Sequence, residues 1–236
     1  QIGKAFRNEI TTGNFLFRTR EFEMMELEFF IPPGTDKKWF EYWIAERLSW
    51  YQRYGLDPNK LQPRAHKREE LAHYSRGTTD IEFDYPFGVA ELEGIANRGG
   101  YDLGQHQDMS GKDLTYFDDS TGEHILPWVI EPSVGVDRCA LAFLANGYRE
   151  EEVQSAAGKM ERRIVLRLDP RLAPIKVAFF PLIKREPLQN LAKDLQNQTR
   201  GEWLTDYDES GAIGRRYRRQ DEAGTPYCVT VDFESL

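Results

Sequence analysis

Cysteine is scarce: the 236 residues hold 2. Cys139 and Cys228 stand far apart, with no CxxC and no histidine spacing suited to zinc. That pattern fits a reducing compartment, and both side chains read as ordinary buried thiols. Long apolar runs are also missing. Every hydrophobic stretch is broken by charge well short of the ~20 residues of a membrane span, and the N-terminus lacks the basic start and apolar run of a signal peptide. No internal repeat or low-complexity tract stands out. Nor is there a basic surplus, since 31 Lys and Arg face 39 Asp and Glu for a net charge of -8. This argues against a protein that coats nucleic acid indiscriminately, because neutralising phosphates needs local cation.

What is present suits a globular chain. Hydrophobic residues make up 40% and aromatics 13%, enough for one large domain or two small ones, soluble and intracellular by default. Gln1 stands where a Met would begin a chain, the first strand-like residues follow without a turn or cap, and the strand-like stretch from Tyr227 to Phe233 has nothing after it. Both ends therefore read as cut.

Periodicity outlines the organisation. Residues 1–30 read as two strands, Ala5 to Ile10 and Phe15 to Phe30, around the turn Thr11-Thr12-Gly13-Asn14. Trp39, Phe40, Trp43, Ile44 and Leu48 recur at helical spacing, ended by Gly55 and Pro58. A polar stretch over 57–78 precedes strands at Asp80 to Phe83 and Gly88 to Ile95. A loop-rich region covers 97–123; then come a strand from Ile125 to Ile130, a Glu-Pro-Ser turn and a helix from Val136 to Asn146. Strands outnumber crossovers, so the expectation is an α+β domain with an antiparallel sheet flanked by helices over 1–158. A charged, small-residue segment, Glu150 to Arg162, separates it from a small α/β domain over 159–236, with strands at Ile164 to Leu168 and Ile175 to Leu182 and a helix near Leu188 to Gln196.

Alternation in the first hairpin would place Arg7 with Glu9 on one face, and Arg18, Arg20, Phe22, Met24 and Glu26 on one face of its partner. Guanidinium and carboxylate groups are poor core material without partners, and Phe22 and Met24 are wasted on solvent. A nucleotide would use both kinds, with forks for phosphates, a ring for a purine and Glu26 for an ammonium; an exposed cross-strand ladder of salt bridges is the other reading. Downstream, Glu131-Pro132-Ser133-Val134-Gly135-Val136-Asp137-Arg138 ends in an arginine on the first turn of an apolar helix. The helix dipole disfavours a cation there unless an anion binds, while a plain capping turn would account for Ser133 and Gly135. The run Arg215-Arg216-Tyr217-Arg218-Arg219 is either an RNA contact or a solvated face.

Together these segments resemble the class II aminoacyl-tRNA synthetases. Phe6-Arg7-Asn8-Glu9 with Phe17-Arg18-Thr19-Arg20-Glu21-Phe22-Glu23 resembles their motif 2, and Gly135-Val136-Asp137-Arg138 their motif 3. Glu91-Leu92-Glu93-Gly94-Ile95-Ala96, His73-Tyr74, Tyr101-Asp102-Leu103-Gly104 and Glu131-Pro132-Ser133 are similar to glycine-specific members, in the same order. The likeness runs on through Leu172 to Val177, Arg216 to Glu222 and Gly224-Thr225-Pro226.

The resemblance implies an ATP-dependent ligation of glycine to tRNA(Gly) through a glycyl-adenylate, with Mg²⁺ as cofactor. The first domain would be a partial catalytic domain and the second a partial anticodon-binding domain. Arg7 would hold the α-phosphate, and Arg18 and Arg138 the β- and γ-phosphates. Phe22 would stack on adenine, and Asn8, Glu9, Phe17, Leu92 and Gly135 would complete the ATP site. Glu91 would lie by the metal. Phe22, Glu26, Glu131 and Ser133 would receive glycine, and Arg215, Arg216, Arg218 and Arg219 would contact tRNA. No protein nucleophile or general base is implied, which leaves His73 and His106 structural. The intact family member is expected to be a cytoplasmic homodimer away from membranes. The motif 1 segment that builds its interface is absent here, so poor activity is expected of this chain alone. The alternative is a non-catalytic, synthetase-like subunit that binds nucleic acid.

Overall fold

The computed structural model describes residues 1–154, 158 and 160–236, which form two compact units, Gln1–Ala145 and Asn146–Leu236. In chain order the first unit runs β1 (Ile2–Phe6), β2 (Glu21–Glu26), β3 (Phe29–Ile31), α1 (Asp36–Arg53), β4 (Leu61–Ala65), β5 (Gly77–Tyr85), β6 (Gly88–Gly99), α2 (Tyr101–Ser110), β7 (Tyr116–Asp118), β8 (Glu123–Ile125), β9 (Trp128–Gly135) and α3, which begins at Val136. Seven strands form one sheet in the order β1-β2-β9-β6-β5-β4, with β3 also on β9, and every pairing is antiparallel. This is the expected α+β architecture.

Alternation gives the central strands two unlike faces. Ile81 and Phe83 of β5, Ile95 of β6, and Ile130 and Val134 of β9 are buried on one side, where α1 covers them. That helix forms because its aromatic residues repeat at helical spacing, and Trp39 and Trp43 enclose the ring of Phe29 at 4.8 and 5.3 Å. The opposite face carries the polar residues.

Several elements differ from the sequence reading. The first two strands are shorter than expected, and residues 7–20 are a loop closed by a bridge between Gly13 and Arg18. Arg18 and Arg20 are therefore off the strand, and Arg20 turns back to donate to the Glu9 carbonyl at 2.9 Å. Glu131-Pro132-Ser133 is not a turn but the middle of β9. The pairings Glu26↔Ser133 and Phe29↔Ile130 belong to one continuous register, and Pro132 merely removes one donor from it. The expected strand from Ile125 is split between β8 and β9. Unread in the sequence were β4, an edge strand containing Pro63, and α2, a polar helix with no buried residue.

The second unit runs β10 (Tyr148–Gln154), β11 (Met160–Leu166), β12 (Val177–Pro181), α4 (Glu186–Thr199), β13 (Thr205–Tyr207), α5 (Ile213–Ala223) and β14 (Tyr227–Val231). β10 and β11 form an antiparallel ribbon, and β13-β12-β14 a parallel sheet. Leu188 and Ala192 of α4 pack on Phe179 and Val231 to form its core. The domain boundary expected at 158/159 falls beside residues 155–157 and 159, outside those described. The compact units divide at 145/146, and Tyr148–Gln154 pairs with β11. Of the cysteines, Cys139 is buried, whereas Cys228 is only partly so.

The basic run lies on α5 and splits by face. Arg216 is 2% exposed, and its guanidinium donates to the carbonyls of Pro181, Glu209 (3.2 Å) and Gly211 (2.7 Å), joining the end of β12 to the loop that follows β13. It has no surface to offer RNA, which corrects the expected tRNA role at that position. Arg219 is tied to the Asp208 carboxylate and the Ser210 carbonyl, Arg218 pairs with Glu161 at 3.1 Å, and Arg215 is exposed. Replacing Arg216 with Met keeps the stem but leaves three carbonyls without that donor. Only the bond to Pro181 is fully buried; at about 1–3 kcal/mol for one abandoned buried polar group, a loss of roughly 2 kcal/mol is expected in the urea unfolding of this unit. Arg218→Ala, at an exposed pair, should cost below about 1 kcal/mol.

Candidate active site

The polar face of the large sheet opens into a cavity of about 260 Å³. Its floor is built by alternation: Phe22 and Met24 from β2, Glu131, Ser133 and Gly135 from β9, Gly94 and Ala96 from β6, and Thr78 and Asp80 from β5. Glycine and alanine at 94 and 96 keep that floor low, so a ligand can lie against the strands. The rim comes from the loop after β1, which supplies Arg7, Glu9, Leu16, Phe17, Arg18 and Thr19, and from the start of α3, which supplies Asp137 and Arg138.

The cationic end centres on Arg138. Its Nε donates to the Phe17 carbonyl at 3.2 Å and its Nη1 to the Glu91 carbonyl at 3.1 Å; the same nitrogen lies 3.4 Å from the Glu91 carboxylate. The guanidinium also covers the Phe17 ring, 4.2 Å from its centroid. Phe17 in turn meets Tyr85 and Phe87 edge-on at 5.2 and 5.0 Å. Asp137 accepts from the Glu23 amide at 3.1 Å, tying α3 to β2. Arg7 sits over the Phe22 ring at 5.5 Å, and Arg18 lies 3.8 Å from the Glu9 carboxylate. Three guanidinium groups thus surround one opening at a helix start, two of them paired with the carboxylates of Glu9 and Glu91.

The other end is acidic. Glu131 pairs with Arg98 at 2.9 Å, and Arg98 is held by Asp102 at 2.6 and 3.0 Å over the ring of Tyr74. Burial, opposed by Arg98 and reinforced by the carboxylates of Glu28 and Glu26, pushes the Glu131 carboxyl up to about 7. Ser133 Oγ donates to Glu26 at 3.5 Å. A small ammonium is the complement of such a cluster, because it would release the repulsion among these carboxylates.

Comparison with known proteins bears on what this cavity serves. Residues 176–236 match the family described as "Anticodon binding domain". The whole chain is 56% identical to the glycine–tRNA ligase of Thermobifida fusca, of which it covers 52%, and 58% identical to that of Caldanaerobacter subterraneus subsp. tengcongensis, of which it covers 50%. Over its full length the chain is similar to glycine–tRNA ligases. It spans about half the length of the curated relatives it matches. In fold it is similar to prolyl-tRNA synthetases, with a TM-score of 0.66 to that of Cryptosporidium parvum, complexed with L-proline and AMP, and 0.67 to that of Giardia lamblia, in complex with prolyl-adenylate. Those two are 16% and 15% identical to it; the likeness covers 99% and 98% of this chain and 47% and 44% of theirs, and shows the class II fold alone.

Most of the residues singled out in the sequence lie around one cavity: Arg7, Glu9, Phe17, Arg18, Phe22, Glu91, Leu92, Glu131, Ser133, Gly135 and Arg138. Glu26 is outside the lining but bonded to Ser133, and Asn8 is an exposed loop residue outside it. His73 packs against Tyr74 and Tyr101, and neither it nor His106 lines the cavity. Sequence reasoning missed Arg98, Asp80, Thr78 and His66. Asp80 accepts from Arg64 at 3.0 Å and bonds His66 at 2.7 Å. Alternation along β5 and β6 would have flagged Thr78 and Asp80 once their buried faces were known; His66 and Arg98 carried no local signal.

The raised Glu131 carboxyl has a pH consequence. The folded protein holds a proton there that the unfolded chain loses above its ordinary value of 4.5. Stability should therefore decline as pH rises from about 4.5 through about 7. Urea titrations across that window are expected to show Glu131→Gln gaining on the parent chain as pH rises; parallel curves would contradict this.

Proposed function

We propose that this chain carries the adenylate-forming site and an anticodon-reading unit of a glycine–tRNA ligase. The observation that supports it most is the convergence of Arg7, Arg18, Arg138 and Phe22 on the cavity whose other end holds Glu131 and Ser133. In this reading the glycine carboxylate attacks the α-phosphorus of ATP and pyrophosphate leaves. A terminal ribose hydroxyl of tRNA(Gly) then attacks the glycyl carbonyl and AMP leaves.

Arg7 holds the α-phosphate, Arg18 and Arg138 hold the departing phosphates, and Phe22 supports adenine. Glu9, Phe17, Leu92 and Gly135 wall the nucleotide, with Asn8 on the loop that carries them. Glu131, with Ser133 and Glu26 behind it, takes the ammonium, and a side chain on the substrate would meet the floor of β9. Catalysis is by positioning and charge, with no protein nucleophile. Glu91, half-exposed beside Arg138, fits the one or two carboxylates by which nucleotide-bound magnesium is held, and Mg²⁺ there would offset negative charge on the phosphates. In the second unit, Arg215 and Arg218 remain candidates for tRNA contact, with Arg219 beside them. The intact protein is proposed to act as a cytoplasmic homodimer. Among the described residues no helix is long and apolar enough to cross a membrane.

Thermal-shift measurements on the chain test this. ATP with glycine at roughly 100 Kd should stabilise it by about 2.7 kcal/mol, a rise of several degrees, while ATP with alanine, serine or proline should do no more than ATP alone. Arg138→Ala should abolish the ATP response. A shift with another amino acid and none with glycine would overturn the assignment. Because the ammonium needs Glu131 ionised, the glycine-dependent part should fade as pH falls below about 7.

A further inference from the structure

Strand β6 holds two glutamates, two residues apart, with opposite destinations. In a regular strand Glu91 and Glu93 would share a face. Here Glu91 lines the cavity, while Glu93 is 1% exposed on the side covered by α1. The register explains it: Ile81 pairs with Glu93 but the next residue, Glu82, pairs with Glu91, so Leu92 is an extra residue in a β-bulge.

Each glutamate is tethered on its own side. The Glu93 carboxylate accepts from Arg47 Nε at 2.8 Å and from the Tyr51 hydroxyl at 2.6 Å, both on α1. The Arg47 guanidinium is itself held over the rings of Trp50 and Tyr51, at 4.5 and 5.4 Å. On the cavity side Glu91 holds Arg138 through its carbonyl and its carboxylate, and Arg138 holds the Phe17 carbonyl. A chain of polar contacts thus runs from α1 through the bulge to the rim of the site.

A buried ion pair contributes little net stability against an apolar replacement, but it tolerates few geometries, and it can serve to fix register. We infer that Glu93 is a positioning residue for nucleotide binding: by fastening the bulge at Leu92 to α1, it turns Glu91 into the cavity and through Glu91 aims Arg138 and the Phe17 loop. Without that fastening, β6 regains a regular ladder by expelling the bulge. The slip sends Glu91 toward α1 and releases Arg138. The inference rests on the proposed nucleotide role of Arg138.

Two readouts on the chain test it: ATP affinity by calorimetry well below the melting temperature, and backbone amide exchange over residues 14–19, where the Phe17 and Arg18 amides are internally bonded. Glu93→Ala is expected to weaken ATP binding about tenfold and to speed exchange in that loop. Glu93→Gln, which keeps the shape and an acceptor, should recover most of both. Leu56→Ala, a core truncation beyond the end of α1, should lower the melting temperature while leaving both readouts near the parent values. Should Glu93→Ala fail to fold, Tyr51→Phe removes one tether and should give a loss of about threefold. Parent-like affinity and exchange in Glu93→Ala, or equal losses in Leu56→Ala, would overturn the inference. If the parent chain binds no ATP, the proposed function fails, and loop exchange alone still decides whether Glu93 holds the bulge.

Discussion

The clasp of Arg138 is the contact on which the site depends. One guanidinium at the start of α3 bonds the Phe17 carbonyl, the Glu91 carbonyl and the Glu91 carboxylate, and so ties a helix, a loop and a strand together. The loop over residues 7–20 has one internal bridge and little regular structure of its own. Phe17, in the middle of that loop, is held by Arg138 through its carbonyl and its ring. A cation placed where the helix dipole opposes it carries a cost, which the carboxylate of Glu91 and the two carbonyls offset.

Behind that clasp stands a sheet whose faces have been kept chemically separate. Apolar residues of β5, β6 and β9 lie under α1, and polar ones face the cavity. The bulge at Leu92 is the exception that lets Glu91 serve one face and Glu93 the other. At the acidic end the same burial that shapes the pocket raises Glu131 and leaves it receptive to a cation. The similarity to glycine–tRNA ligases is consistent with the proposed chemistry here, since a substrate with no side chain offers only its ammonium and carboxylate to be recognised.

The fold class was legible because α1, α3 and the central strands obey simple periods. The residues lining the cavity were legible for a different reason: arginine, glutamate and phenylalanine in strand-like and helix-start positions lack a plausible core role. Where reading failed, tertiary context had overridden local pattern. Pro132 looks like a turn but occupies a central strand at the position where its missing donor is tolerated, and α2 is too polar to show a face. Arg216 was taken for surface because it sits among arginines. Only the packing of α5 against the end of β12 and the loop after β13 reveals it as a buried hub.

In the second unit this leaves the proposed tRNA contact to what α5 and its neighbours expose rather than to the whole basic run. The first unit carries the central claim, that one cavity takes the nucleotide and glycine together. A crystal structure of the chain with a non-hydrolysable glycyl-adenylate analogue tests it most directly. Adenine on Phe22, the phosphate mimic beside Arg7 and the ammonium at Glu131 are the expected result; an analogue bound elsewhere, or with its adenine away from Phe22, would contradict it.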